Sequence, residues 1–168
     1  MYKENKRPKL NLKTTPLEFI LNAISLCLII LSVVYLIVEW PSLPNQVPMH
    51  FNGVGEADGW GSKWTVWVLI FIGSLLWVGM LILSRFPHVF NYLTEITDEN
   101  AEFQYKNAKL MMTLVNTIII VNFTYLSYQI VQVAKGLSNG LGTWNMLIFI
   151  LVLLGTIFTF MFRSLRVK

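Results

Sequence analysis

Charge is scarce in this chain. Only 13% of its 168 residues are Asp, Glu, Lys or Arg, against 55% hydrophobic, too little polar side chain to coat a water-soluble globule of that length. The scarcity excludes an ordinary soluble domain and leaves an integral membrane protein. The single cysteine, Cys27, excludes an intramolecular disulfide, and its place inside an apolar run reads as a small packing residue. Histidine is equally sparse, and His50 and His88 flank opposite ends of one long apolar run, so they cannot complete one site. No carboxylate pair, repeated histidine or activated nucleophile lies within an apolar run. The chain therefore reads as non-enzymatic. A net charge of +4 does not point to nucleic acid, because the basic residues sit at the ends of apolar runs instead of clustering on a folded soluble surface.

What is present is long and apolar. Four uncharged runs, Phe19–Val38, Trp64–Leu83, Leu110–Val131 and Thr143–Phe162, can each cross a hydrocarbon core of about 30 Å at about 1.5 Å per residue. Lipid offers no partner to a bare amide, so the runs must be helices. The expected fold class is an all-α integral membrane protein with four transmembrane helices. The first run has no small-residue cleavage signature before Glu39-Trp40-Pro41 and is read as an uncleaved span. The expected organisation is a basic tail over 1–18, in which Pro8 and Pro16 break any helix, and a two-span unit over 19–83 carrying an outer loop at 39–63. After these come a linker and helix over 84–109, a second two-span hairpin over 110–162 and a basic tail over 163–168.

Orientation is read from the flanks. With the N-terminus cytoplasmic, Lys3, Lys6, Arg7, Lys9, Lys13, Arg85, Lys106, Lys109, Arg163, Arg166 and Lys168 fall inside, and only Lys63 and Lys135 fall outside. The positive-inside rule then gives N-in and C-in, and Trp40, Trp60, Trp64 and Trp144 all reach the outer interface. Between the second and third spans, Thr97-Asp98-Glu99 reads as a helix start, with Thr97 accepting from a first-turn amide. That helix is expected to run on into the third span, with Glu102 and Lys106 paired one turn apart. The third span is the most polar, and its Thr113, Asn116, Thr117, Asn122, Thr124, Ser127 and Gln129 are expected to bond to neighbouring helices or to backbone carbonyls. The fourth span is expected to face lipid. Gln132–Gly142 reads as a short outer turn.

The stretch from Trp40 to Lys63 carries the function. Pro41, Pro44 and Pro48, with Gly53, Gly55, Gly59 and Gly61, exclude a helix through it. It is also far longer than the about 2–8 residues that join two antiparallel helices. It is therefore a shaped loop. Its candidate ligand-binding residues are His50, Asn52, Glu56, Asp58, Trp60 and Lys63. A purely structural account of the same residues has Asp58-Gly59 as a turn and Trp40, Phe51, Trp60 and Trp64 as an aromatic lid. In it His50 and Asn52 satisfy backbone groups, Ser62 caps the second span and Lys63 reaches toward headgroups. His50, Glu56 and Asp58 have metal-ligand chemistry, but their spacing matches no metal motif, so neither a metal nor another cofactor is expected.

Trp40, Leu43-Pro44, Val47-Pro48, His50-Phe51-Asn52, Gly55, Asp58-Gly59-Trp60 and Ser62-Lys63 together resemble the signature of a bacterial membrane family of unknown function, whose domain also forms the front part of SdpI-like toxin immunity proteins. The resemblance covers about residues 20–83, and Asn100-Ala101-Glu102, Tyr105 and Ala108 are similar to the stretch after the domain in shorter members of that family. It implies a bacterial plasma-membrane location and protection of a producing cell against a secreted membrane-active toxin. By analogy, it also implies that residues 84–109 recruit a cytoplasmic regulator. No second immunity-type half is obvious in the chain. The leading expectation is an outer loop that binds a toxin peptide or envelope ligand in immunity or sensing. The alternative is an accessory subunit of a membrane transporter or envelope complex, docked through polar spans such as the third.

Overall fold

The computed structural model describes residues 7–142 and 144–167, so Lys3, Lys6, Thr143 and Lys168 lie outside the described residues. Helix α1 spans Pro16–Glu39 and opens on a reciprocal cap: the Thr15 hydroxyl accepts from the Glu18 amide at 3.2 Å, and the Glu18 carboxylate accepts from the Thr15 amide at 2.7 Å. Pro16, expected to break a helix, begins this one instead, because a first-turn residue has no intrahelical amide bond to lose. Helix α2 spans Val66–Leu83, α3 spans Ala101–Ala134 and α4 spans Asn145–Leu165. All four are long and apolar enough to cross a membrane.

Helix α3 is the centre of the bundle and packs against α1, α2 and α4. The expected extension of the third span is present in its 34 residues, about 50 Å of continuous helix. The start falls a few residues later than Thr97, which with Asn100 forms the turn before it: the Asn100 amide donates to the Thr97 hydroxyl at 3.4 Å, and the Thr97 amide to the Asn100 side chain at 3.0 Å. Glu102 and Lys106 pair as expected, at 2.5 Å.

Helices α1 and α3 run parallel, joined by hydroxyl pairs that recur after seven residues on both. The Ser25 and Thr117 hydroxyls meet at 3.1 Å and those of Ser32 and Thr124 at 3.2 Å. Further along, Gln132 donates to the Tyr35 hydroxyl at 2.9 Å and Lys135 meets Glu39 at 2.6 Å. Small hydroxyl residues let the backbones approach closely while satisfying their own polar atoms. Of the polar residues of α3, Thr113 donates to the Lys109 carbonyl at 3.0 Å as expected, whereas Gln129 donates to the Tyr125 hydroxyl of its own helix at 2.8 Å and the buried Ser127 hydroxyl has no partner among the described residues. Thr117→Val is expected to cost only about 0.6 kcal/mol in a detergent unfolding titration, since Ser25 keeps its own bond to the Leu21 carbonyl.

Helix α4 fully buries only Phe160 and Ser164 and exposes most of its other side chains. That suits lipid contact. Cys27 is exposed on α1, so it is not the packing residue the sequence suggested. A second departure concerns the fold class: the chain is mostly helical but not all-α. Strands β1 (Gln46–Phe51) and β2 (Ala57–Ser62) form an antiparallel hairpin between α1 and α2. Pro48 is admitted because a two-stranded ribbon has open edges where a missing amide breaks no ladder.

At the opposite end of the bundle, the segment before α1 is no solvated tail. Arg7 lies over the Tyr92 ring and donates to the Phe90 carbonyl at 2.5 Å, the Tyr105 hydroxyl donates to the Pro8 carbonyl at 3.0 Å, and Leu12 packs on Ile96, Ala101 and Tyr105. Residues 7–15 are a strap across the start of α3. Burial, with Tyr105 beside it, pushes the Tyr92 phenol well above its ordinary pKa, against a smaller opposing effect of Arg7.

Candidate functional site

The hairpin stands on the bundle through its first strand. Val47 is fully buried with Leu36, Leu43, Val66, Ile130 and Val131, and Trp40 and Phe51 pack against that cluster. The ladder is irregular on both strands: Met49 is an extra residue between Pro48 and His50, and Asp58 one between Ala57 and Gly59. Such bulges re-aim side chains and sharpen the local twist. Along β2 exposed and half-buried positions alternate, which places Asp58, Trp60 and Ser62 on the exposed side.

The six sequence candidates separate into three places. His50 Nδ1 and Asp58 Oδ1 lie 2.5 Å apart, with the imidazole 73% exposed and the carboxylate 44% exposed. Trp60 is 51% exposed on the same strand as Asp58. Asn52 and Glu56 form the hairpin tip: the Asn52 side-chain oxygen accepts from the Val54 and Glu56 amides, at 3.1 and 2.9 Å, and its nitrogen donates to the Glu56 carboxylate at 3.2 Å. That geometry is an Asx turn and accounts for Asn52 structurally. Lys63 sits at the base, its ammonium 4.7 Å from the Trp40 ring centroid, while Trp40 also packs on Trp64 and Trp67.

Asp58-Gly59 is not a turn. Both residues lie inside β2, and the chain reverses between Asn52 and Glu56, where Gly55 takes φ +86°. Nor do the four expected aromatics form one lid, because Trp67 takes a place beside Trp40 while Trp60 stands apart. Ser62 does cap the next turn, accepting from the Trp64 amide at 3.4 Å. Among the described residues no group of three His, Cys, Asp or Glu side chains is placed to hold a metal ion, since Glu56 turns to Asn52 and away from the His50–Asp58 pair.

The hairpin tip also docks on the connection between α3 and α4. The Leu141 amide donates to the Gly55 carbonyl at 2.8 Å, and Glu56 bridges Gly140. Beneath this contact opens an apolar groove of about 400 Å³, with His50 on its wall and Met49, Thr65, Leu126, Leu141 and Met146 around it. These residues come from β1, from the turn before α2, from α3 and from the connection into α4. None of the five stands out in the sequence. The one available signal was the glycine-rich 136–142 stretch, whose role as a seat for the hairpin depends on a contact across 85 positions of the chain, from Gly55 to Gly140.

The sequence profile of a domain of unknown function (DUF1648) matches residues 27–73. The matched stretch takes in the second half of α1, the whole hairpin with all six candidate residues, and the first turns of α2. No curated protein and no solved structure matches the chain.

Proposed function

We propose that this is a non-enzymatic multi-pass protein of the bacterial plasma membrane, oriented N-in and C-in, whose outer hairpin binds a toxin peptide or envelope ligand in an immunity or sensing role. One observation carries the reading. The His50–Asp58 pair is exposed, and its imidazole lines an apolar groove of about 400 Å³. A ligand with an apolar body and a polar end would find both parts of its complement there. Trp60 and Met49, both more than half exposed, extend the apolar contact area.

The test compares deletion and overexpression strains for survival under secreted bacteriocin-type peptides, with a His50→Ala, Asp58→Ala variant as control. Protection should fall to the deletion level in the variant, while its abundance in the membrane stays unchanged. Full protection by the variant would reduce the pair to decoration of a structural hairpin.

The accessory-subunit alternative drew on polar residues of the third span. In the bundle Thr113, Asn116 and Ser127 are buried, Thr117 and Asn122 line an open groove of about 350 Å³ beside α4, and Thr124 and Gln129 are half-buried, so little polar surface faces outward for a partner. A recruiting role for residues 84–109 has its own obstacle, because Tyr92, Ile96 and Tyr105 are occupied by the strap.

A further inference from the structure

An open cavity of about 540 Å³ lies at the other end of the bundle, between the strap, the first turns of α1, the end of α2 and α3. Three cations line it: Lys13 on the strap, Arg85 after α2 and Lys109 on α3. Lys109 is the informative one. It is 7% exposed, and among the described residues it is in no ion pair and its ammonium has one hydrogen bond, a long 3.4 Å contact to the Leu12 carbonyl. An ammonium on a largely buried side chain, with three donors and one long protein acceptor, has donors left for an anion in the cavity it lines.

Glu18, the one carboxylate lining the cavity among the described residues, is engaged with the Thr15 amide in the α1 cap. Positive charge therefore dominates, and the other cations, Lys13 and Arg85, are exposed at the rim without a carboxylate partner among the described residues. Apolar residues close the remaining side. Phe19 and Leu81 belong to the two candidate spans that bound the cleft, and Phe19 is 68% exposed toward the bundle's outer surface. Cations at the end of a span with an apolar flank beside them match a phosphate headgroup with its acyl chain lying along the helices.

We propose that this cleft is a phosphate-binding site for an anionic phospholipid of the leaflet facing the chain termini, with Lys109 as its buried contact and Lys13 and Arg85 at its mouth. The inference rests on the membrane-spanning arrangement of the proposed function, which flotation of the reconstituted protein with liposomes reads separately.

The experiment is native mass spectrometry of the full chain with bound lipid, titrated with phosphatidylglycerol, with phosphatidylcholine, and with inorganic phosphate alone. Phosphatidylglycerol should bind at least tenfold more tightly than phosphatidylcholine. Arg85→Gln and Lys13→Gln, both at exposed positions that leave the fold intact, should each weaken it about fivefold, as expected for about one charge near an anionic surface. Lys109→Met should weaken it more, with its helical circular dichroism unchanged. Equal binding of the two lipids, or full phosphatidylglycerol affinity in the Arg85→Gln and Lys13→Gln variants, would overturn the site. Inorganic phosphate binding as tightly as phosphatidylglycerol, with the same sensitivity to the variants, would overturn the lipid assignment in favour of a soluble phosphate.

Discussion

Tyr105→Ala is expected to lower stability by about 3–5 kcal/mol, the range for removing a fully buried aromatic side chain. Tyr105 is 0% exposed, the largest completely buried side chain among the described residues. Its ring packs on Tyr92 at 5.6 Å, and its hydroxyl is the donor that holds the strap at Pro8. The loss should therefore be felt in two measurements. The detergent unfolding midpoint should fall, and residues 7–15 should become sensitive to brief proteolysis under conditions where the parent is resistant. Tyr105→Phe separates the two contributions: it keeps the ring and removes one hydrogen bond, so about 1 kcal/mol should be lost. If the strap resists protease in Tyr105→Ala as well as it does in the parent, then Arg7 and Leu12 hold it without help.

The second large effect is expected at Gly140. A Cβ there would lie 2.1 Å from the Gly55 carbonyl oxygen and 3.0 Å from its carbon, both backbone atoms that cannot rotate away. Gly140→Val should consequently separate the hairpin tip from the α3–α4 connection. The cost should be about 1–3 kcal/mol of overpacking strain. Hydrogen exchange at the Leu141 amide, protected in the parent by its bond to Gly55, gives the direct readout and should accelerate. Gly53→Ala is the matched control, because no atom lies within 4 Å of a Cβ at that position and its backbone has no positive φ. A slow Leu141 amide in Gly140→Val would mean that the hairpin is held by β1 and the Val47 cluster alone.

These positions bear on function through the groove. Leu141 and Met146 form part of its wall, and both lie just after Gly140, in the connection on which the hairpin tip is seated and in the start of α4. Undocking the tip should widen the space beside His50 without touching the His50–Asp58 pair. Gly140→Val should thus weaken ligand binding even though its substitution lies far from His50 in the sequence.

The terminal cleft and the groove beneath the hairpin lie at opposite ends of α3, with Lys109 near its start and Ile130 near its end. The shared helix is held on one flank by the Ser25–Thr117 and Ser32–Thr124 pairs and on another by Gln104, which donates to the Ser164 and Val167 carbonyls at 2.9 and 2.7 Å. Glu99, in the turn that precedes this helix, has its carboxyl pKa held below the ordinary value, chiefly by a hydrogen bond from Thr97.

The sequence by itself determined the four helices. Their length and lack of charge leave no other way to satisfy a backbone in an apolar setting, and that constraint is local to each run. It likewise determined the unbroken passage from Glu102 through Lys109 into the third span, where nothing interrupts the helix. The tertiary structure alone decided the hairpin. Pro48 and four glycines argue against strands when read locally, and pairing of Val47 with Gly61 and Pro48 with Trp60 becomes favourable only once Val47 is buried against α1, α2 and α3. The strap was hidden for the same reason, since basic residues 7–13 look solvated until Tyr92 and Tyr105 are placed beneath them. The groove and the cleft each draw on several segments, and no local rule of hydropathy or propensity encodes a contact between Gly55 and Gly140 or between Lys109 and Leu12. Those contacts exist because backbone and side-chain polar groups must find partners across the folded bundle, a condition set by the whole chain at once.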